Sequence, residues 1–147
     1  MKSIQYDASK KGLEAIFRPW QIVVIDTIHG NSMGMNSRAV TLEVNKKLSQ
    51  NSISRASIIN FLEYLRELGI LHGEDETGKG GHHWVYSPGM GDSQYKQFIV
   101  DMILKRITEE FPAEMKSAIK KLSWFSAISI LTKNAHKSDN SGPSSEP

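Results

Sequence analysis

The segment from Ile53 to Pro88 constrains the fold more than any other; it opens ISRASIINFLEYLRELGILHGEDE and closes TGKGGHHWVYSP. Ile58, Phe61, Leu62, Leu65 and Leu68 recur at the 3.6-residue spacing of one buried helical stripe. Ser54 stands where an N-cap belongs, and Ile53 and Ile58 are spaced to close a hydrophobic staple around it. Gly69 occupies the position of a left-handed C-cap, after which Ile70 and Leu71 resume an extended pattern. Two short strands around a glycine-rich tip should follow. A capped helix feeding a small hairpin is the second half of a winged helix-turn-helix.

The residues upstream supply the first half. Met1–Ser9 carries no periodicity, while Leu13, Ile16, Phe17 and Trp20 suggest a short lead-in helix. Pro19 opens a new helix, where its missing N–H costs nothing. Trp20, Val23, Val24, Thr27 and Ile28 should line its inner face, and Gly30 should end it. Asn36 or Ser37 is placed to cap a second helix with Val40, Val44 and Leu48 inward, and SQNS forms the tight turn into the third. Helix, helix, polar turn, helix is the helix-turn-helix spacing. After Pro88, GMGDS reads as a hinge, with Asp92 or Ser93 as the next cap. A broad apolar stripe follows, Pro112 breaks it, and Met115, Ala118, Ile119, Leu122, Phe125 and Ile128 mark a last helix. The expected organisation is a lead over 1–18, a winged helix-turn-helix over 19–90, a helical arm over 91–132 and a disordered polar tail over 133–147. The fold class is mainly α with a small β wing.

Composition removes several functions. With no cysteine among 147 residues, disulfides, thiolate metal sites and cysteine nucleophiles are excluded. No apolar run approaches the ~18 residues that span a membrane, and the amino terminus lacks a signal-peptide core, so a cytoplasmic location is expected. No phosphate-binding glycine loop and no paired carboxylates in a cleft stand out, which argues against an enzyme and against a cofactor. The net charge of +2 favours no partner by itself, and Asn36–Pro88 holds six Lys/Arg against six Asp/Glu. An electrostatic case for nucleic acid must rest on where the charges lie.

The same segment resembles the penicillinase-repressor-like winged-helix regulators of bacteria and archaea. The resemblance is carried by Ser57, Ile58, Leu62, Leu65, Gly69, Ile70 and Leu71, then by Trp84, Tyr86 and Pro88, and it extends over Pro19–Pro88. It implies a DNA-binding regulator, a repressor rather than an activator, with dimerisation helices after Pro88. Leu68 departs from the family pattern, which usually has a basic residue there, and the lead and tail have no counterpart in it.

Projecting the third helix at 100° per residue places Ser52, Ala56, Ile59, Asn60 and Glu63 opposite the apolar stripe, with Arg55 and Ser57 flanking. The amino-terminal part of such a helix enters the major groove. There Arg55 suits guanine, Asn60 adenine and Ile59 a thymine methyl. Ser54 joins this set at the helix start. Ser37 and Arg38 open the second helix, where free N–H groups favour a phosphate. Lys79 at the wing tip, with His82 and His83 beside it, is a candidate backbone contact. Lys46 and Lys47 read as solvated or as compensating the helix dipole. A metal site built from His72, His82, His83 and Asp75 or Glu76 is disfavoured, because adjacent residues on a strand point to opposite faces.

Tyr95, Phe98, Ile99, Met102, Ile103, Phe111, Ile119 and Leu122 are read as a dimer interface. The blander reading is that they pack on the winged domain, and a third is an effector pocket between arm and domain. The function expected is a homodimeric regulator on a pseudo-palindromic double-stranded DNA operator. The alternative is a winged-helix module that binds a protein partner without reading DNA sequence.

Overall fold

The computed structural model describes residues 4–78 and 80–138. Its first compact unit runs up to Ile103 and its second begins at Leu104. Three helices make the first unit's core: α1 (Pro19–His29), α2 (Ser37–Leu48) and α3 (Arg55–Glu67). They are completed by a sheet of β1 (Met35–Asn36), β2 (Leu71–Gly78) and β3 (Gly81–Pro88), in the order β1-β3-β2 with both pairings antiparallel. This is a winged helix-turn-helix.

The local signals act as their chemistry dictates. Asn36 caps α2 by accepting the Ala39 N–H at 2.9 Å, and Ser54 caps α3 by accepting that of Ser57 at 3.1 Å. At the far end of α3 the N–H of Gly69 bonds the Arg66 carbonyl and that of Ile70 bonds Leu65, the paired closure of a Schellman motif. Gly69 has φ +74°, a conformation that glycine adopts without strain. Ile58, Phe61, Leu62 and Leu65 are buried, as are Val40 and Val44 of α2 and Val24, Ile25 and Ile28 of α1. Fully burying a side chain of this kind contributes roughly 1.5–3 kcal/mol. Ile25, absent from the expected inner face, is fully buried, whereas Val23 is half-buried.

Several expectations need correction. The lead forms a 3-10 turn at Gly12–Ala15 rather than an α-helix. Arg18 precedes proline and is held extended (φ −69°, ψ 153°), so no α-helix can run through it into α1. The strand β1 was not foreseen. Helix α4 (Asp92–Glu110) begins one residue after Gly91, whose N–H is bonded by the Gln94 side chain, so neither Asp92 nor Ser93 is the cap. Of the disordered tail expected from Lys133, the part up to Ser138 is helical as the end of α5 (Pro112–Ser138); residues 139–147 lie outside the described residues.

The largest correction concerns the first stripe of the arm. Tyr95 and Ile99 are fully buried in the core of their own winged domain, and Phe98 and Ile103 pack half-buried against it. The Tyr95 ring lies 5.2 Å from that of His29 at the end of α1, tilted by 55°. A side chain with no free surface has none to offer a second subunit, so Tyr95 and Ile99 are not interface residues. In the second unit Phe111, Ile119, Leu122, Trp124 and Phe125 are all more than half exposed. Among the described residues no helix is long and apolar enough to cross a membrane.

Candidate nucleic-acid interface

The turn between α2 and α3 is held by one side chain. The Asn45 amide donates to the Ile53 carbonyl at 3.0 Å and its oxygen accepts the Ile53 N–H at 2.7 Å. This pair of hydrogen bonds fixes where α3 starts relative to α2. It brings Arg55 at the head of α3 to Ser37 at the head of α2, with the guanidinium donating to Ser37 Oγ at 3.1 Å. Arg38, Thr41, Leu42, Asn45, Lys46 and Arg55 line a groove between the two helices, and no carboxylate lines it. Arg38, Lys46 and Arg55 are exposed. The amino termini of α2 and α3 with Arg38 and Arg55 thus lie at the groove, and Lys46 from the last turn of α2 adds a third cation along it, an arrangement suited to anionic oxygens.

The expected reading residues separate into groups. Arg55, Ser37 and Arg38 come together as just described. Ser57 and Asn60 are exposed but lie on the other flank of α3. There, with Phe61 and Tyr64, they line a cleft of about 700 Å³ whose opposite wall is the lead, from Ile4 to Arg18, and the start of α1. Ser54 Oγ is engaged by its cap and by Ser57 Oγ at 2.9 Å. Ala56 and Ser52 are exposed, and Ile59 is half-buried. Lys46 and Lys47 also differ: Lys46 belongs to the groove, while Lys47 Nζ donates to Thr27 Oγ1 at 3.0 Å and ties α2 to α1.

On the wing, Lys79 lies outside the described residues. His82 is exposed and stands 3.2 Å from Asp75, and His83 stands 3.9 Å from Glu76. His72 stands 3.5 Å from Glu74. Each histidine thus faces one carboxylate, and among the described residues no three such groups gather as a metal ion would need.

Two features went unnoticed in the sequence. One is Asn45, whose only signal is a residue of weak helix propensity near the end of a helix. The other joins α3 to the wing. Glu63 accepts a hydrogen bond from the Tyr86 hydroxyl through Oε1, and two from Arg66 through Oε2 at 2.6 and 3.0 Å. Arg66 in turn lies over the Trp84 ring, 4.4 Å from its centroid. Burial works to raise the Glu63 pKa, but the hydrogen bonds from Tyr86 and Arg66 and the Arg66 charge prevail and hold it below the usual carboxylate range. Burial and the Glu63 carboxylate push the Tyr86 phenol well above its ordinary value. Glu63 is therefore a neutralised member of a network, not a free negative charge on the reading helix.

Fold and site together define the class as a winged helix-turn-helix with a cationic groove between α2 and the head of α3. No family model matches the sequence, and no curated protein matches it. Solved structures do. A candidate transcriptional regulator from Thermoplasma acidophilum aligns at 16% identity and a TM-score of 0.43, over 74% of this chain and 90% of its own. PadR of Bacillus subtilis, solved with operator DNA, aligns at 14% identity and a TM-score of 0.44, over 88% of this chain and 81% of its own.

Proposed function

We propose that the protein is a sequence-specific DNA-binding transcriptional regulator, a repressor that acts as a homodimer on a pseudo-palindromic operator. The observation that carries this reading is the groove where Arg38, Lys46 and Arg55 converge without a carboxylate. In this reading α3 enters the major groove by its amino-terminal turns with Arg55 on a base edge, and Arg38 and Lys46 take phosphates, while Asn60, on the flank facing the lead, is left out of the contact. The second subunit is supported by the exposed Phe111, Ile119, Leu122, Trp124 and Phe125, an apolar surface that a lone chain would leave in water. A two-fold axis lets one such surface cover its own copy.

Salt titration of binding to retained genomic fragments tests the DNA reading. Each phosphate contact contributes about −0.9 to the slope of log K on log salt, so Arg38→Ala should flatten the slope by about one. Salt-independent binding, or retention of random fragments alone, would overturn it and leave a protein-binding module. Light scattering tests the dimer: the parent should be dimeric and Leu122→Glu monomeric with its winged domain folded. A monomeric parent at micromolar concentration would remove the second subunit.

A further inference from the structure

We propose that Glu63, Arg66, Trp84 and Tyr86 form a clamp that fixes the wing to the reading helix, so that both approach DNA as one rigid piece. This rests on the DNA-binding reading above. In it, Glu63 and Arg66 are positioning residues and do not touch DNA.

The geometry engages both strands of the wing and both oxygens of one carboxylate. Oε1 of Glu63 takes the Tyr86 hydroxyl from β3, and Oε2 takes the Arg66 fork from within α3. The guanidinium then lies over Trp84, two residues along β3 from Tyr86 and on the same face. The second strand takes part through an absence. Gly73 on β2 pairs directly with Tyr86, and a Cβ at Gly73 would sit 2.6 Å from Arg66 Cδ and 3.2 Å from Trp84 Cε3. Only a residue without a side chain leaves Arg66 its path across the sheet. Tyr86 also pairs with Met35 of β1, and Asn36, which follows, caps α2. One tyrosine thus meets β1, β2 and α3 together.

This arrangement has a consequence that a merely stable fold would not require. Beyond its short pairing with β1 the wing is a two-stranded ribbon, and such a ribbon is marginal by itself. Glu63 and Arg66 lie one turn apart on the side of α3 towards the sheet. Their bonds therefore set the angle between the helix in the major groove and the ribbon beside it. The ion pair with Arg66 also offsets the repulsion that a free Glu63 would exert on phosphate.

The test combines a readout without DNA and one with it, on the full chain. Tyr86→Phe, Arg66→Gln and Gly73→Ala should each speed amide exchange of the β2–β3 ladder at least tenfold while exchange in the α1–α2 core stays unchanged. On a retained operator, hydroxyl-radical footprinting of the parent should show a central protection from α3 and a flanking one from the wing. The three variants should keep the first and lose most of the second. Gly73→Ala is decisive, because it displaces Arg66 without altering Glu63 or Tyr86, and because Tyr86→Phe alone could unsettle the buried sheet. Unchanged ladder exchange in Gly73→Ala and Arg66→Gln would overturn the clamp. Faster exchange with an undiminished flanking protection would overturn its positioning role. A parent that binds no DNA while the exchange arm behaves as stated would instead reject the DNA reading.

Discussion

Removing the Asn45 side chain should be the most costly single truncation on the surface of the helix-turn-helix. Asn45 satisfies the Ile53 N–H and carbonyl together, at 2.7 and 3.0 Å, and both bonds are partly buried. Ile53 packs half-buried against the core, so its backbone cannot simply turn to solvent. A net intramolecular hydrogen bond is worth about 1 kcal/mol, and a buried group left unmet costs about 1–3 kcal/mol. Two groups, discounted for partial access to water, give a loss of ~2 kcal/mol for Asn45→Ala. With a urea dependence of ~2 kcal/mol per molar for a chain of this size, the unfolding midpoint should fall by ~1 M. Asn45→Asp keeps the acceptor for the Ile53 N–H but sets oxygen against the Ile53 carbonyl, so it should recover little. Lys46→Ala, the adjacent exposed residue, should stay within about 0.5 kcal/mol. If Asn45→Ala also stays within that margin, the turn is held by packing and the reasoning fails.

Gly89→Ala should destabilise by at least ~2 kcal/mol, because its Cβ would lie 2.7 Å from the Gly69 carbonyl oxygen and 3.0 Å from the His72 nitrogen, backbone atoms that cannot yield cheaply. Urea unfolding reads this directly. Tyrosine-to-phenylalanine changes at two buried sites should differ. Tyr86→Phe should lose ~1.5–3 kcal/mol with its bond to a charged partner, while Tyr95→Phe should stay within ~1 kcal/mol, since that hydroxyl is buried without a hydrogen-bond partner among the described residues. Equal losses in paired melts would refute the distinction. Glu63 has a folded-state pKa below its unfolded one, so its contribution is present above the ordinary glutamate range and fades as pH falls through the lowered value. Glu63→Gln should therefore narrow its stability deficit between pH 6 and pH 3, and a constant deficit would contradict the network.

How much of this was legible in the sequence follows from the range of each interaction. The caps of α2 and α3 and the closure at Gly69 depend on residues at most five apart, and each stands where its spacing put it. The stripe of α3 was equally clear, because four buried residues share one helix face. The two-residue β1 was too short to alternate, and only its partners Tyr86 and Val85 define it. The Glu63–Tyr86 bond joins residues 23 apart, with nothing local to announce it. Arm residues posed a different problem. Periodicity marks Tyr95 and Ile99 as buried but does not say by what, and a stripe facing its own core has the same sequence as one facing a partner. For the reading face, a projection about one helix axis gave exposure correctly for Asn60 and Ser57. It could not know that the lead crosses beside them.

Charge placement decides which part of the site can dominate affinity. Across Asn36–Pro88 the charges cancel, yet they are not mixed. The groove between α2 and α3 gathers Arg38, Lys46 and Arg55 with no carboxylate in its lining, whereas β2 carries Glu74, Asp75 and Glu76 in succession. Each of those acids lies 3.2–3.9 Å from a histidine. A phosphate brought to β2 would meet the repulsion of these carboxylates. At the salt of a cell such exposed charges act over about 8 Å, so repulsion on the wing stays local and does not cancel the attraction at the groove. The helix-turn-helix is then left to supply the electrostatic affinity. The strands of the wing, which carry no lysine or arginine among the described residues, contribute by shape and position, which is why the geometry that Tyr86 and Glu63 impose on them matters more than the charges they bear.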